Sequence, residues 1–396
     1  CTKMENQRLT SESKLFEIPI RVYEKDLNTE SGKAKKNEIL DIFANFNNIH
    51  TEEEFEDIEE VLHEFCRVGD ADLIKIYISE TVEDDSKDCQ YKIDKTNQTA
   101  SLFRVKKNVT QIIIPRSIKH ESTEYLITSI SSICNNKIRK IKFAEDSAVK
   151  TFYRYAFGIS SVEEIYFPTS LKELKEGWCN YTSNLIKITI SPSNNQFQFI
   201  KKKKYLLGKS DENNNKFDIL FFACRDIKEI SIPSTIKIIS SDAFHDCFYL
   251  TKVEFETNSN VFSIGPFSFV KTDINEISIP STVSKICENA FSDCENLTKV
   301  DIQPNSNLQT IEKNAFANTN IKEIFISSKI SSIYDRSFYN CKNLTKVEIP
   351  INSNLQIIGK FAFSASKIEK IFIPPTVTKI CENAFSDCSN LMKVEI

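Results

Sequence analysis

The sequence predicts an α/β solenoid, a stack of short coils that each open on a β-strand. Three observations predict it. The stretch ICENAFSDC stands at Ile286–Cys294 and again at Ile380–Cys388, 94 residues on. Strand-like segments recur at half that distance: IKEISIPST from Ile227, INEISIPST from Ile274, IKEIFISSK from Ile321 and IEKIFIPPT from Ile368, each 47 residues after the last. Between them, on the same spacing, lie LTKVEFETNSN from Leu250, LTKVDIQPNSN from Leu297, LTKVEIPINSN from Leu344 and LMKVEI from Leu391. One period is therefore a 23-residue unit followed by a 24-residue unit.

Each unit opens on L/I-x-x-I/V-x-I/F, an alternation that sends apolar side chains to one side of a short strand. A proline or an NSN turn follows, then a second apolar pair, then Ala-Phe. In the unit Ile274–Asn296, the residues Ile274, Ile277, Ile279, Val283, Ile286, Ala290, Phe291 and Cys294 are expected to face one interior. A single unit cannot bury so many apolar groups, whereas stacked coils bury them against one another. Weaker copies start at Val109, Ile138, Val162 and Leu185, making eleven complete units and one cut short at Leu391–Ile396. The steps from 109 to 162 and from 162 to 227 exceed the period by 6 and 18 residues, so both contain insertions.

The recurring I-P-S-T-V-x-x-I-x-x-x-A-F-x-x-C resembles the BspA-like (Treponema-type) leucine-rich repeat, LxxIxIPxSVxxIGxxAFxxC, over 88–396. The resemblance implies a right-handed leucine-rich repeat superhelix with a parallel concave sheet. In that family one unit often carries an inserted hairpin. KYLLGKSDENNNKFDILFF (Lys204–Phe222) places two apolar strands around a polar turn, within an insertion spanning about 194–222. A small hairpin ahead of the first unit and a Tyr-x-Val-Thr interruption are also family features, matched by Cys89–Val105 and Glu124–Thr128. The family's glycine before AF is replaced here by Cys287, Glu312, Tyr334 and Cys381, a structural position.

Residues 1–87 lack the repeat and are expected to form a helical module. Lys36–Phe46 has apolar residues at helical spacing, and Thr51-Glu-Glu-Glu54 is a capping box before Phe55, Ile58, Val61, Leu62 and Phe65. Arg67-Val68-Gly69 then reads as a helix end, with a further short helix over Leu73–Ile78. The module either caps the solenoid (88–396) or serves as a docking element.

Composition excludes several functions. The net charge of −4 and the single dense basic run, Lys201–Lys204, are not the footprint of a nucleic-acid binder. The longest apolar run, Ile219–Cys224, is a strand's length, so no membrane insertion is expected within this chain. The chain starts at Cys1 without methionine and stops inside a unit, and is expected to be a fragment. No glycine-rich phosphate loop occurs, and His50, His63, His120 and His245 are scattered without partners for metal or nucleophile chemistry. No cofactor, metal or catalytic residue is expected, and no enzyme.

Cys247, Cys294, Cys341 and Cys388 form a column 47 residues apart, in the interior slot after Ala-Phe. Members of the column lie two coils apart, at least about 9.5 Å, beyond the ~7 Å Cα limit of a disulfide. Buried structural thiols are the expectation, with a local Cys287–Cys294 bridge as the alternative.

In leucine-rich repeats, positions 3 and 5 of LxxLxL project from the sheet. Position 3 alternates in sign, with Glu229, Lys252, Glu276, Lys299, Glu323 and Lys346, and reads as a register and solubility device. Position 5 carries Tyr166, Phe325 and Phe372, interleaved with acids such as Glu348. These four are the candidate partner-binding residues, because exposed aromatics mark interaction surfaces. The competing face is the A-F-x-x-C turn, with His245 and Tyr339. The expected function is non-enzymatic binding of a protein or surface glycan. The resemblance implies cell-surface adhesion and a surface antigen. The alternative is an intracellular scaffold, favoured by twelve cysteines without a pairing pattern.

Overall fold

The computed structural model describes residues 79–396 except 84–87, 107–108, 134–136, 159, 181, 201, 203, 212 and 214. The helices expected over residues 36–78 lie outside the described residues. Within 1–87 the described segment Glu80–Glu83 is a strand, edging the hairpin Cys89–Asp94/Thr99–Val105.

Among the described residues there is no helix, which corrects the α half of the predicted α/β class. The reason lies in the stretch that repeats, ICENAFSDC. Asn289 and Asp293 take left-handed backbone (φ 55° and 59°), as do Asn383 and Asp387 (56° each). Two such residues four apart cannot continue a helix, and Asn and Asp are the side chains that tolerate the conformation. The amides of Asn289, Phe291 and Asp293 instead donate to Lys313, Ala315 and Ala317 of the next coil at 3.0, 2.8 and 2.9 Å. Tight turns tied from coil to coil replace the helix.

The strands at the heads of the coils are parallel and in register. Glu229 pairs with Lys252, Glu276 with Lys299 and Glu323 with Lys346, so position 3 alternates in sign across each pair. The expected single sheet is divided, however. Four strands upstream of the insertion form one sheet, Glu229–Ile232 and Lys252–Phe255 a second, Glu276–Ile279 and Lys299–Ile302 a third, and Glu323–Phe325 to Lys393–Glu395 a fourth. Pairing runs the full strand across 23-residue steps but shrinks to Lys346–Lys370 alone across the 24-residue step from Leu344 to Ile368.

The continuous sheet is built from the second apolar pair. Ile238–Ile239, Ser263–Ile264, Lys285–Ile286, Thr310–Ile311, Ser332–Ile333, Ile357–Ile358 and Lys379–Ile380 pair in parallel, one coil after another. Its first edge is the inserted hairpin, where Phe197–Ile200, Tyr205–Gly208 and Ile219–Ala223 run antiparallel before Ile219–Ala223 joins Ile238–Ile239. A Cβ on Gly208 would meet the Phe221 ring at 2.4 Å, which explains glycine there.

Inside, Phe244, Phe269, Phe291, Phe316, Phe338, Phe363 and Phe385 stack at 4.7–5.5 Å between ring centroids, within 10° of parallel. Upstream of the insertion the aromatic core packs differently. Trp178 is ringed by Phe152, Phe157, Phe167 and Phe222 at 5.8–6.2 Å.

The described cysteines are all free thiols, so neither a ladder nor a Cys287–Cys294 bridge is present. The column is a hydrogen-bonded file that alternates with hydroxyls. Cys294 Sγ donates to Phe269 O at 3.0 Å beside Thr272 Oγ1 (3.3 Å), and Cys341 Sγ to Phe316 O at 3.2 Å beside Thr319 Oγ1 (3.3 Å). Burial pushes both thiols up to about 12.

Candidate functional site: the strand face and the cleft beside the hairpin

Phe325 sits at the end of its strand, half-buried, with its ring against the solenoid core. Its cross-strand partner is Glu348, which is exposed. Glu348 is held by Lys346 on its own strand, and Lys346 also lies 4.0 Å from Glu323. The same in-strand pairing joins Lys252 to Glu254 and Lys393 to Glu395, each at 2.7 Å. It arises because positions 3 and 5 project from the same side of a strand. Phe372, also half-buried, lies on the next strand and pairs with Glu395. Three of the four sequence candidates thus share one patch: two partly sunken rings with a lysine-clamped carboxylate on the strand between them. Tyr166, the fourth, is opposite Thr189 in the sheet upstream of the insertion and does not join them.

The competing face loses one member. His245 is buried, against the expectation of a surface residue, with Nδ1 3.5 Å from Asp246 Oδ2. Burial, aided by Arg225 and Lys271, pushes its imidazole down to about 4, so it is neutral at pH 7. Tyr339 remains exposed. His245 belongs to an interior polar knot where the two hydrophobic clusters meet. There the buried Arg225 guanidinium reaches Cys247 Sγ at 3.7 Å and Cys179 Sγ at 3.8 Å and lies over the Phe222 ring. Asn180, with its amide nitrogen turned to Asp242, donates to both carboxylate oxygens at 2.7 and 2.9 Å. A strictly periodic reading misses this knot, because Cys179, Asn180 and Arg225 come from the irregular units around the insertion.

Periodicity also misses a cleft of about 520 Å³ between the hairpin and the first strands after it. The cleft is lined by Lys202 and Lys204 from the hairpin side and by Asp226, Lys228, Glu229, Ser231, Lys252 and Glu254 from the coils that follow. Lys204 is ion-paired to Asp226 and has a left-handed backbone, φ 53°. The 18-residue insertion was the sequence signal for it. Among the described residues no group of His, Cys, Asp and Glu is arranged to hold a metal ion. No helix among them is long and apolar enough to cross a membrane.

The coil geometry agrees with a match to the BspA type leucine rich repeat region, in six copies, over residues 99–202, 217–345 and 262–392. The chain belongs to this family. Among solved structures, a leucine-rich repeat protein from Eubacterium ventriosum is 17% identical, covers 76% of this chain and 92% of its own, and has a TM-score of 0.55. One from Bacteroides ovatus is 19% identical over 78% of this chain and 87% of its own, with a TM-score of 0.45. The Eubacterium structure shares the fold of this leucine-rich repeat chain. No curated protein matches it.

Proposed function

We propose that this leucine-rich repeat chain is a non-enzymatic binding protein that recognises a protein partner on the strand face around Phe325, Glu348 and Phe372, in adhesion at a cell surface. The observation that carries the reading is the pair of partly sunken phenylalanines flanking one clamped acid on parallel strands. Interface energy concentrates in aromatic anchors, and these rings stand where the equivalent strands carry Ser231 and Ser278. Membership of a repeat family built as a binding scaffold supports it. An intracellular scaffold is the second reading, favoured by the free thiols.

The test is the double variant Phe325→Ser/Phe372→Ser against partners captured from solubilised cell-surface proteins and then measured by calorimetry. Serine fits these slots, so the fold is retained while affinity falls by more than about 2 kcal/mol, roughly 30-fold. Wild-type affinity in that variant, with loss in Tyr339→Ala, would place the site on the turn face and refute the reading.

A further inference from the structure

The two places where the repeat departs most from itself fall side by side. One is the inserted hairpin, whose lysines line the cleft. The other is the Cys-x-x-Leu turn. In later units it carries Glu295–Asn296, Lys342–Asn343 and Ser389–Asn390, but in the first unit after the hairpin, Ile227–Tyr249, it carries Phe248–Tyr249, 51% and 63% exposed. Elsewhere this column is a polar ladder, in which Asn296 Nδ2 donates to Asp273 and Asn343 Nδ2 to Asn320 Oδ1 at 3.1 Å. Tyr249 interrupts the ladder with a large ring that the coil does not bury. The pairing of Glu229 with Lys252 puts Tyr249 in register with Asp226, which lines the cleft.

The charges inside the cleft select a class of ligand. Lys204 is paired to Asp226 and Lys252 to Glu254, which leaves Lys202, Lys228 and Glu229 as the other charged groups of the lining. The balance is positive by one. Three carboxylates in the lining oppose a phosphate or an acidic peptide, whose negative charges are dense, yet they accept hydrogen bonds from hydroxyl groups. The exposed Tyr249, one coil on from the lining residue Asp226, offers a flat face for the C–H side of a sugar ring. The volume lies within the ~300–1,000 Å³ range of small-ligand sites, with room for a short oligosaccharide.

We propose that this cleft is a second binding site, specific for an acidic saccharide. The sugar carboxylate lies between Lys202 and Lys228, hydroxyls are taken by Glu229 and Ser231, and one ring rests on Tyr249. The site is separate from the Phe325 patch and does not depend on it.

The experiment is calorimetric titration of the full chain with a hyaluronan hexasaccharide, which carries glucuronate carboxylates, and with the neutral N-acetylglucosamine hexamer. The acidic oligosaccharide binds and the neutral one binds at least about tenfold more weakly, the difference expected from charge-assisted bonds to lysine. Tyr249→Asn, which restores the residue of later units, and Lys228→Gln each weaken the acidic oligosaccharide by about tenfold with unchanged circular dichroism. Phe325→Ser/Phe372→Ser leaves it unchanged. No binding, equal binding of the two hexamers, stronger binding of a glutamate-rich peptide, or indifference to both cleft variants would overturn the proposal.

Discussion

Phe316→Ala removes a ring from the middle of the phenylalanine file. Phe316 is fully buried and stacks on Phe291 at 5.2 Å and 1° and on Phe338 at 5.5 Å and 5°. A buried Phe→Ala change costs about 3–5 kcal/mol through lost transfer and the cavity left behind. Each lost ring pair adds about 0.5–1.5 kcal/mol beyond area, partly counted already in that range, so ~4 kcal/mol is a fair centre. With m near 3 kcal/mol per molar urea, the midpoint falls by about 1.3 M. Two probes locate the loss. Circular dichroism follows the whole sheet, and Trp178 fluorescence follows the upstream core, to which Phe316 does not belong. In a solenoid, stability is a sum over coils and their interfaces, so the circular dichroism midpoint moves more than the Trp178 midpoint. An unchanged urea midpoint by both probes would refute the interior file.

Two further predictions follow from buried groups. Counted with a thiol reagent, the seven buried cysteines among those described react only after denaturation, whereas the half-exposed Cys381 and Cys388 react first. Absence of free thiols after denaturation would show a disulfide framework and favour the extracellular route. Burial pushes the Asp242 carboxyl up to about 7 from 3.8, against the pull of Ser241 and Arg154. The folded chain therefore binds an extra proton between about pH 4 and 7. Asp242 contributes stability that is complete below pH 4 and lost as pH rises through 7, by about 1.4 kcal/mol per unit crossed. Urea midpoints of Asp242→Asn should lack that slope, and an identical slope in the variant would remove Asp242 as its source.

The sequence by itself determined the coils, because in a solenoid distance along the chain is distance in space. A residue 47 positions on is the same residue two coils on. That relation identified the buried column from Ile274 to Cys294, the phenylalanine file and the free thiols of Cys294 and Cys341. It also brings Phe325, Glu348 and Phe372 onto neighbouring strands. Only the tertiary structure decided what depends on the next coil's backbone or on a break in the period. The choice between helix and turn at ENAFSD rests on amide bonds to Lys313, Ala315 and Ala317, which no local propensity reports. His245 is buried beside its chain neighbour Asp246 and near Arg225, which enters from the end of the insertion. The cleft exists because an insertion with no counterpart in the other coils lies beside Glu229 and Lys252. Periodicity carries information about what repeats, and the hairpin, the polar knot and Tyr249 are the parts that do not.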